Sequence, residues 1–169
     1  MFGFMALRIE HRARFDQDIA EVFKAVSDED AWRARLDAIG GPNARIESYS
    51  QSGDQWRFVL YQGVSAEKLP AFVRALYPGD LVVEREQTWE KADEGYTGTV
   101  TATVSGIPGQ ITARTELSTK SGETVLSTDG EVKIRIPLVG GKVEGFVADQ
   151  VTRLLQSEAE YTARWLADR

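Results

Sequence analysis

The 169-residue chain contains no cysteine. Disulfides are therefore excluded, as is any thiolate-held zinc or iron–sulfur centre. With His11 as the only histidine, further metal ligands would have to be carboxylates, and neither a calcium-loop pattern nor a dense acidic run gathers them. No metal and no cofactor is expected. Basic residues are also sparse: 20 Lys and Arg stand against 26 Asp and Glu, for a net charge of -6. No basic cluster of the kind that phosphate backbones attract is present, so nucleic acid is not an expected partner. No segment approaches the ~18 consecutive apolar residues of a membrane span. Gly140-Gly141-Lys142 lacks the earlier glycine and the following hydroxyl of a phosphate-cradling loop, and no serine sits in a hydrolase elbow. The opening Met1-Phe2-Gly3-Phe4-Met5 is apolar but too short for a signal sequence. Met1 and Met5 are both possible starts, and residues 1–5 are expected to form a loose extension. A reducing cytosol suits a cysteine-free chain, and a cytoplasmic location is expected; the oligomeric state is left open.

What the chain does contain is regular patterning. Leu7, Ile9, His11, Ala13 and Phe15 alternate with Arg8, Glu10, Arg12 and Arg14, the period of a half-buried strand. Asp16 has the character of a helix N-cap ahead of Ile19, Val22, Phe23 and Val26. Ser27 and Asp30 are spaced as a capping box ahead of Trp32, Arg35, Leu36 and Ile39, and Gly40-Gly41-Pro42 ends that second short helix. Six further strands are expected near 43–52, 55–63, 80–91, 95–105, 109–119 and 123–135, punctuated by turn residues that include Gly106-Ile107-Pro108-Gly109. A short helix fits Pro70 to Tyr77, with the proline at its first position. Beyond Pro137, Val143, Phe146, Val147, Val151, Leu154, Leu155, Thr162 and Trp165 line one side of a helix running to about Leu166, roughly seven turns long.

A helix with one apolar stripe and a sheet with one apolar face bury each other. The expected fold is α+β, one domain over residues 1–169, with a seven-stranded antiparallel sheet curled by its twist around the last helix.

Three stretches give this order a family likeness. They are Phe15-Asp16-Gln17-Asp18-Ile19-Ala20-Glu21-Val22-Phe23 after the first strand, Leu69-Pro70-Ala71-Phe72-Val73 through Trp89, and Ile136-Pro137-Leu138-Val139-Gly140-Gly141-Lys142-Val143-Glu144. Here the chain resembles the START-like superfamily, the helix-grip fold of polyketide cyclases and birch pollen allergens, and within it an uncharacterised bacterial branch. The resemblance implies a cavity between helix and sheet that holds a lipid-, isoprenoid- or polyketide-like molecule. It brings no catalytic motif that matches residue by residue.

The inward phase of the strands supplies the candidate wall. It comprises Trp56, Phe58 and Leu60; Leu81, Val83, Arg85, Gln87 and Trp89; Gly98, Val100 and Ala102; Ile111, Ala113 and Thr115; and Leu126, Thr128, Gly130 and Val132. Small residues here either leave volume for a ligand, the preferred reading, or let the helix backbone approach the sheet closely with no void. His11 is either a ligand donor or acid–base group, or a core histidine satisfied by a neighbour, the second being preferred. Glu158 lies on the apolar stripe of the long helix. It faces a ligand, pairs with Arg85 or His11, or reaches water at the edge of the stripe. Arg85 and Gln87 either reach a ligand, Arg85 gripping a carboxylate or phosphate, or point outward from a bulged strand, the preferred reading. The candidate ligand-binding set is His11, Trp56, Phe58, Arg85, Gln87, Val100, Thr115, Thr128, Phe146, Val147, Leu154 and Glu158. The expected function is carriage or sensing of an apolar or amphipathic molecule. Two rivals are a cyclase or dehydratase working through His11, Glu158 and Arg85, and an interaction module with a filled core.

Overall fold

The structure is a computed structural model that describes residues 6–169. The expected extension at residues 1–5 lies outside the described residues. Strand β1 (Leu7–Phe15) leads into helices α1 (Ile19–Ser27) and α2 (Glu29–Ile39). Strands β2 (Arg45–Ser52) and β3 (Gln55–Val64) follow, and then a short helical pair, one 3₁₀ turn at Ala66–Lys68 and α3 (Ala71–Leu76). Four more strands, β4 (Leu81–Ala92), β5 (Gly95–Val104), β6 (Ile107–Lys120) and β7 (Glu123–Ile134), precede the long helix α4 (Gly140–Ala167).

All neighbouring strands are antiparallel, in the order β1-β7-β6-β5-β4-β3-β2. Each of the hairpins β2–β3, β4–β5, β5–β6 and β6–β7 turns on two residues. At Ser121-Gly122 both have positive φ, 53° and 82°, the twist that suits a tight hairpin. The β5–β6 turn is Ser105-Gly106 alone. Ile107 and Pro108, expected in the connection, already belong to β6.

Two caps differ from the sequence expectation. Asp18, not Asp16, caps α1, its carboxylate accepting the Glu21 N–H at 2.9 Å. Asp28 caps α2 and accepts the Ala31 N–H, while Ser27 closes α1 by donating to the Phe23 carbonyl. Pro70 stands one residue ahead of α3, and its carbonyl accepts the Val73 and Arg74 N–H groups.

The 28 residues of α4 form nearly eight turns (~3.6 residues each), and the helix packs chiefly on β1 and β7. The interior has two apolar clusters. One joins Ile9, Leu81, Ile107, Ile111, Val132 and Ile134 to α3 and to Val143, Val147 and Ala148 of α4. The other joins Phe15, Phe58, Leu60, Trp89 and Leu117 to α1, α2 and Leu166. Burial of these side chains, at ~25 cal/mol per Å² of apolar surface, is what holds helix to sheet.

Candidate functional site

Between the two clusters lies a polar belt, and the strand register builds it. His11 pairs across the sheet with Thr128, Thr128 with Thr115, and Thr115 with Gly98. On β4 the inward phase runs Leu81, Val83, Arg85, Gln87, Trp89, so the polar pair falls in the middle of an apolar row. Arg85 and Gln87 are buried, 7% and 3% exposed, and the β3–β4 and β4–β5 registers run unbroken through them. The bulge expected here is absent; register shifts occur instead at Ile46/Ser48 and Ala102/Val104.

Glu158 of α4 descends onto this belt, 8% exposed. Its Oε2 accepts from Arg85 Nη1 at 2.8 Å and from Gln62 Nε2 at 3.2 Å. Of the roles open to Glu158 from sequence, pairing with Arg85 is the one realised. His11 bonds instead with Gln156, Nε2 to Oε1 at 2.9 Å.

A second guanidinium joins the belt from α2. Arg35 is 3% exposed; its Nη2 donates to the Ala25 carbonyl at 3.1 Å and to Thr162 Oγ1 at 2.9 Å. Arg35 and Arg85 both lie over the Trp32 ring, at 4.2 and 5.2 Å from its centroid. Burial lowers the Arg35 pKa to about 10, helped by the charge of Arg85 and opposed by Glu158. At neutral pH the group is still a cation. Two buried cations thus share one carboxylate, and the arrangement is held by hydrogen bonds and an aromatic face. Nε of Arg35, Nε of Arg85, Oε1 of Gln62 and Oγ1 of Thr115 are buried with no hydrogen-bond partner among the described residues.

The belt encloses a hollow of about 40 Å³, lined by His11, Arg35, Arg85, Gln87, Thr115, Thr128 and Glu158 among others. Beside it, on the flank of α4 away from β1, opens an apolar cleft of about 440 Å³. Its walls are chiefly apolar, among them Ile39, Val64, Leu81, Val83, Phe146 and Leu154, and Gly40-Gly41-Pro42, Gly63, Lys68, Gln150, Arg153 and Ser157 line it too. Gly41 has φ 78°, and a Cβ on it would lie 2.0 Å from the Gly63 carbonyl oxygen, so only glycine allows this close seam. Hollow and cleft are neighbours. Val83 lines the cleft and Arg85 the hollow, two residues apart on β4, or about 7 Å. Gln62 lines the cleft while holding Glu158. The wider depressions by α1 and at the β5–β6 strand ends, about 750 and 760 Å³, are floored about equally by polar and apolar groups.

The candidate residues therefore divide three ways. His11, Arg85, Gln87, Thr115, Thr128 and Glu158 line the hollow, whereas Phe146, Val147 and Leu154 line the cleft. Trp56, Phe58 and Val100 line neither. Trp56 packs edge-on to Phe23, and Phe58 sits between Trp32 and Tyr49 beneath α1 and α2. The space expected as one cavity under the helix is thus an open cleft plus a small polar hollow. Gly98 and Gly130 do not create it. A Cβ on either would meet the neighbouring strand, at 2.0 Å from the Thr88 oxygen or 2.2 Å from the Thr112 oxygen. They make room for the neighbouring strand, which is neither of the two readings, since among the described residues no helix backbone lies against them. Arg35 and Gln62 escaped sequence reasoning as site residues. A cation on the apolar phase of α2, between Trp32 and Leu36, was the available signal for the first.

The fold is that of a START-like helix-grip protein. It is similar to the crystal structure of Ara h 8.0201 at 14% identity and a TM-score of 0.60, covering 98% of this chain and all of that one. It is also similar to a START superfamily protein from Mycobacterium smegmatis, at 12% identity and a TM-score of 0.53, over 95% of this chain and 97% of that one. By sequence the chain belongs to the DUF2505 family of proteins of unknown function, whose model matches residues 10–166. An uncharacterised protein of Mycobacterium tuberculosis is 30% identical over 164 residues, 92% of this chain and 94% of that protein. Among the described residues no helix is long and apolar enough to cross a membrane.

Proposed function

We propose that the chain binds a small apolar or amphipathic molecule, lipid-, isoprenoid- or polyketide-like, in the cleft between α4 and the sheet, as a carrier or sensor. The observation that carries this reading is the cleft itself. Its 440 Å³ falls within the ~300–1,000 Å³ usual for small-molecule sites, and its walls are chiefly apolar, with a few polar groups such as Gln62, Lys68 and Arg153 among them. A filled core, which the interaction-module reading requires, does not fit that space. The enzyme reading has less support, because Glu158 is engaged with Arg85 and Gln62, and His11 with Gln156. Neither is poised against the other.

The neutral dye Nile red tests the proposal. It should bind with a fluorescence rise, and Val151→Trp, which places an indole in the cleft, should weaken it at least tenfold while circular dichroism stays unchanged. No binding to the parent protein, or undiminished binding to the folded variant, would rule out the cleft as the site.

A further inference from the structure

The polar hollow is built for more than closing the belt. Arg35 and Arg85 together bring two positive charges to one carboxylate, and each has an Nε with no partner among the described residues. Among the described residues Arg35 is held by neutral oxygens only, those of Ala25 and Thr162, and no anion bonds to it directly. A buried guanidinium forfeits its hydration, and a second anion placed between the two cations would offset that loss with charge-assisted hydrogen bonds. The hollow limits what that anion can be. Its 40 Å³ suits two or three waters at ~15 Å³ each, the bulk of a planar carboxylate rather than of a tetrahedral phosphate. Between it and the apolar cleft stands Gln62, which lines the cleft, donates to Glu158 and has an unpartnered Oε1.

We infer that the guest is an aliphatic monocarboxylic acid, with its chain in the cleft and its carboxylate held by Arg85 and Arg35. This rests on the proposed use of the cleft. The hydrogen bonds lie at the head, the apolar contact along the tail. Glu158 holds Arg85 in place and competes with the incoming carboxylate for it.

Displacement of Nile red by decanoic acid and by decanol, matched in chain and differing in head, separates the two claims. The parent protein should bind the acid at least tenfold more tightly than the alcohol. Glu158→Gln removes the competing carboxylate and should widen that preference. Arg85→Met alone strands Glu158 without its partner and endangers folding, so the informative variant is Arg85→Met/Glu158→Gln. It should lose at least fivefold of the acid preference and keep its affinity for decanol. Equal binding of acid and alcohol to the parent, or an unchanged preference in the folded double variant, overturns the carboxylate assignment and leaves the apolar-guest reading standing. Failure of dye, acid and alcohol alike removes that reading and this inference with it.

Discussion

Arg85 shows how much of this protein turns on single residues whose meaning depends on a partner far along the chain. A guanidinium on the inward face of a central strand is costly unless its charge is answered, and Glu158, 73 residues away, answers it at 2.8 Å. Removing one member should therefore hurt more than removing both. Arg85→Met is expected to cost about 3–5 kcal/mol of folding stability, the usual penalty for a buried charge left alone. Adding Glu158→Gln should return a large part of that loss. Urea denaturation of the two singles and the double closes the cycle, and simple additivity would show that the pair is not energetically coupled. From sequence, Arg85 and Gln87 look like residues turned outward by a bulge. Each polar residue of the belt interrupts its own strand or helix by one or two positions, and only cross-strand register reveals that the interruptions align. Arg35 was hidden for the same reason. On α2 it occupies the apolar phase beside Trp32 and Leu36, and the oxygens that receive it belong to α1 and α4.

Secondary-structure elements were far more legible than the site. The alternation of β1 predicts Leu7–Phe15, and the structure places the strand there. Strong periodicity also locates α4, because a stripe of apolar residues roughly seven turns long (~3.6 residues each) has few other uses. Element ends were harder to read. Asp16 and Asp18 are both good caps by type, and the choice depends on which carboxylate lies beneath the Glu21 N–H. The turn into α4 carries a feature that no pattern announces. Leu138 has φ 70° and is fully exposed, and the Val139 N–H donates to the Pro137 carbonyl at 2.8 Å, closing a γ-turn of the strained, positive-φ kind. Leucine pays a steric cost there that glycine avoids. Leu138→Gly should leave thermal stability unchanged or raise it by up to about 1 kcal/mol, since the side chain surrenders no burial. A loss larger than that in thermal melts would mean that Leu138 packs on something the exposed turn does not show.

At the scale of the whole molecule, the two apolar clusters and the belt between them divide the labour of the fold. The cluster around Phe58, Trp89 and Leu117 is sealed by α1 and α2, both of which pack on α4. The cluster around Leu81 and Val132 borders the cleft, where Phe146, Val151 and Leu154 are only half-buried. Stability is therefore uneven along one continuous helix, with its C-terminal part clamped and its middle facing an open flank. A guest in the cleft adds apolar contact where it is scarce and leaves the sealed end as it was. Amide hydrogen exchange with and without decanoic acid should register this. Protection is expected to rise at residues 146–154 of α4 and 81–85 of β4, the segments that wall the cleft and the hollow. Residues 19–27 of α1, already buried through Val22, Phe23 and Val26, should exchange at the same rate in both states. A gain spread evenly over the chain, or concentrated in α1, would place the guest outside the cleft, because local contact can slow exchange only where it closes local opening.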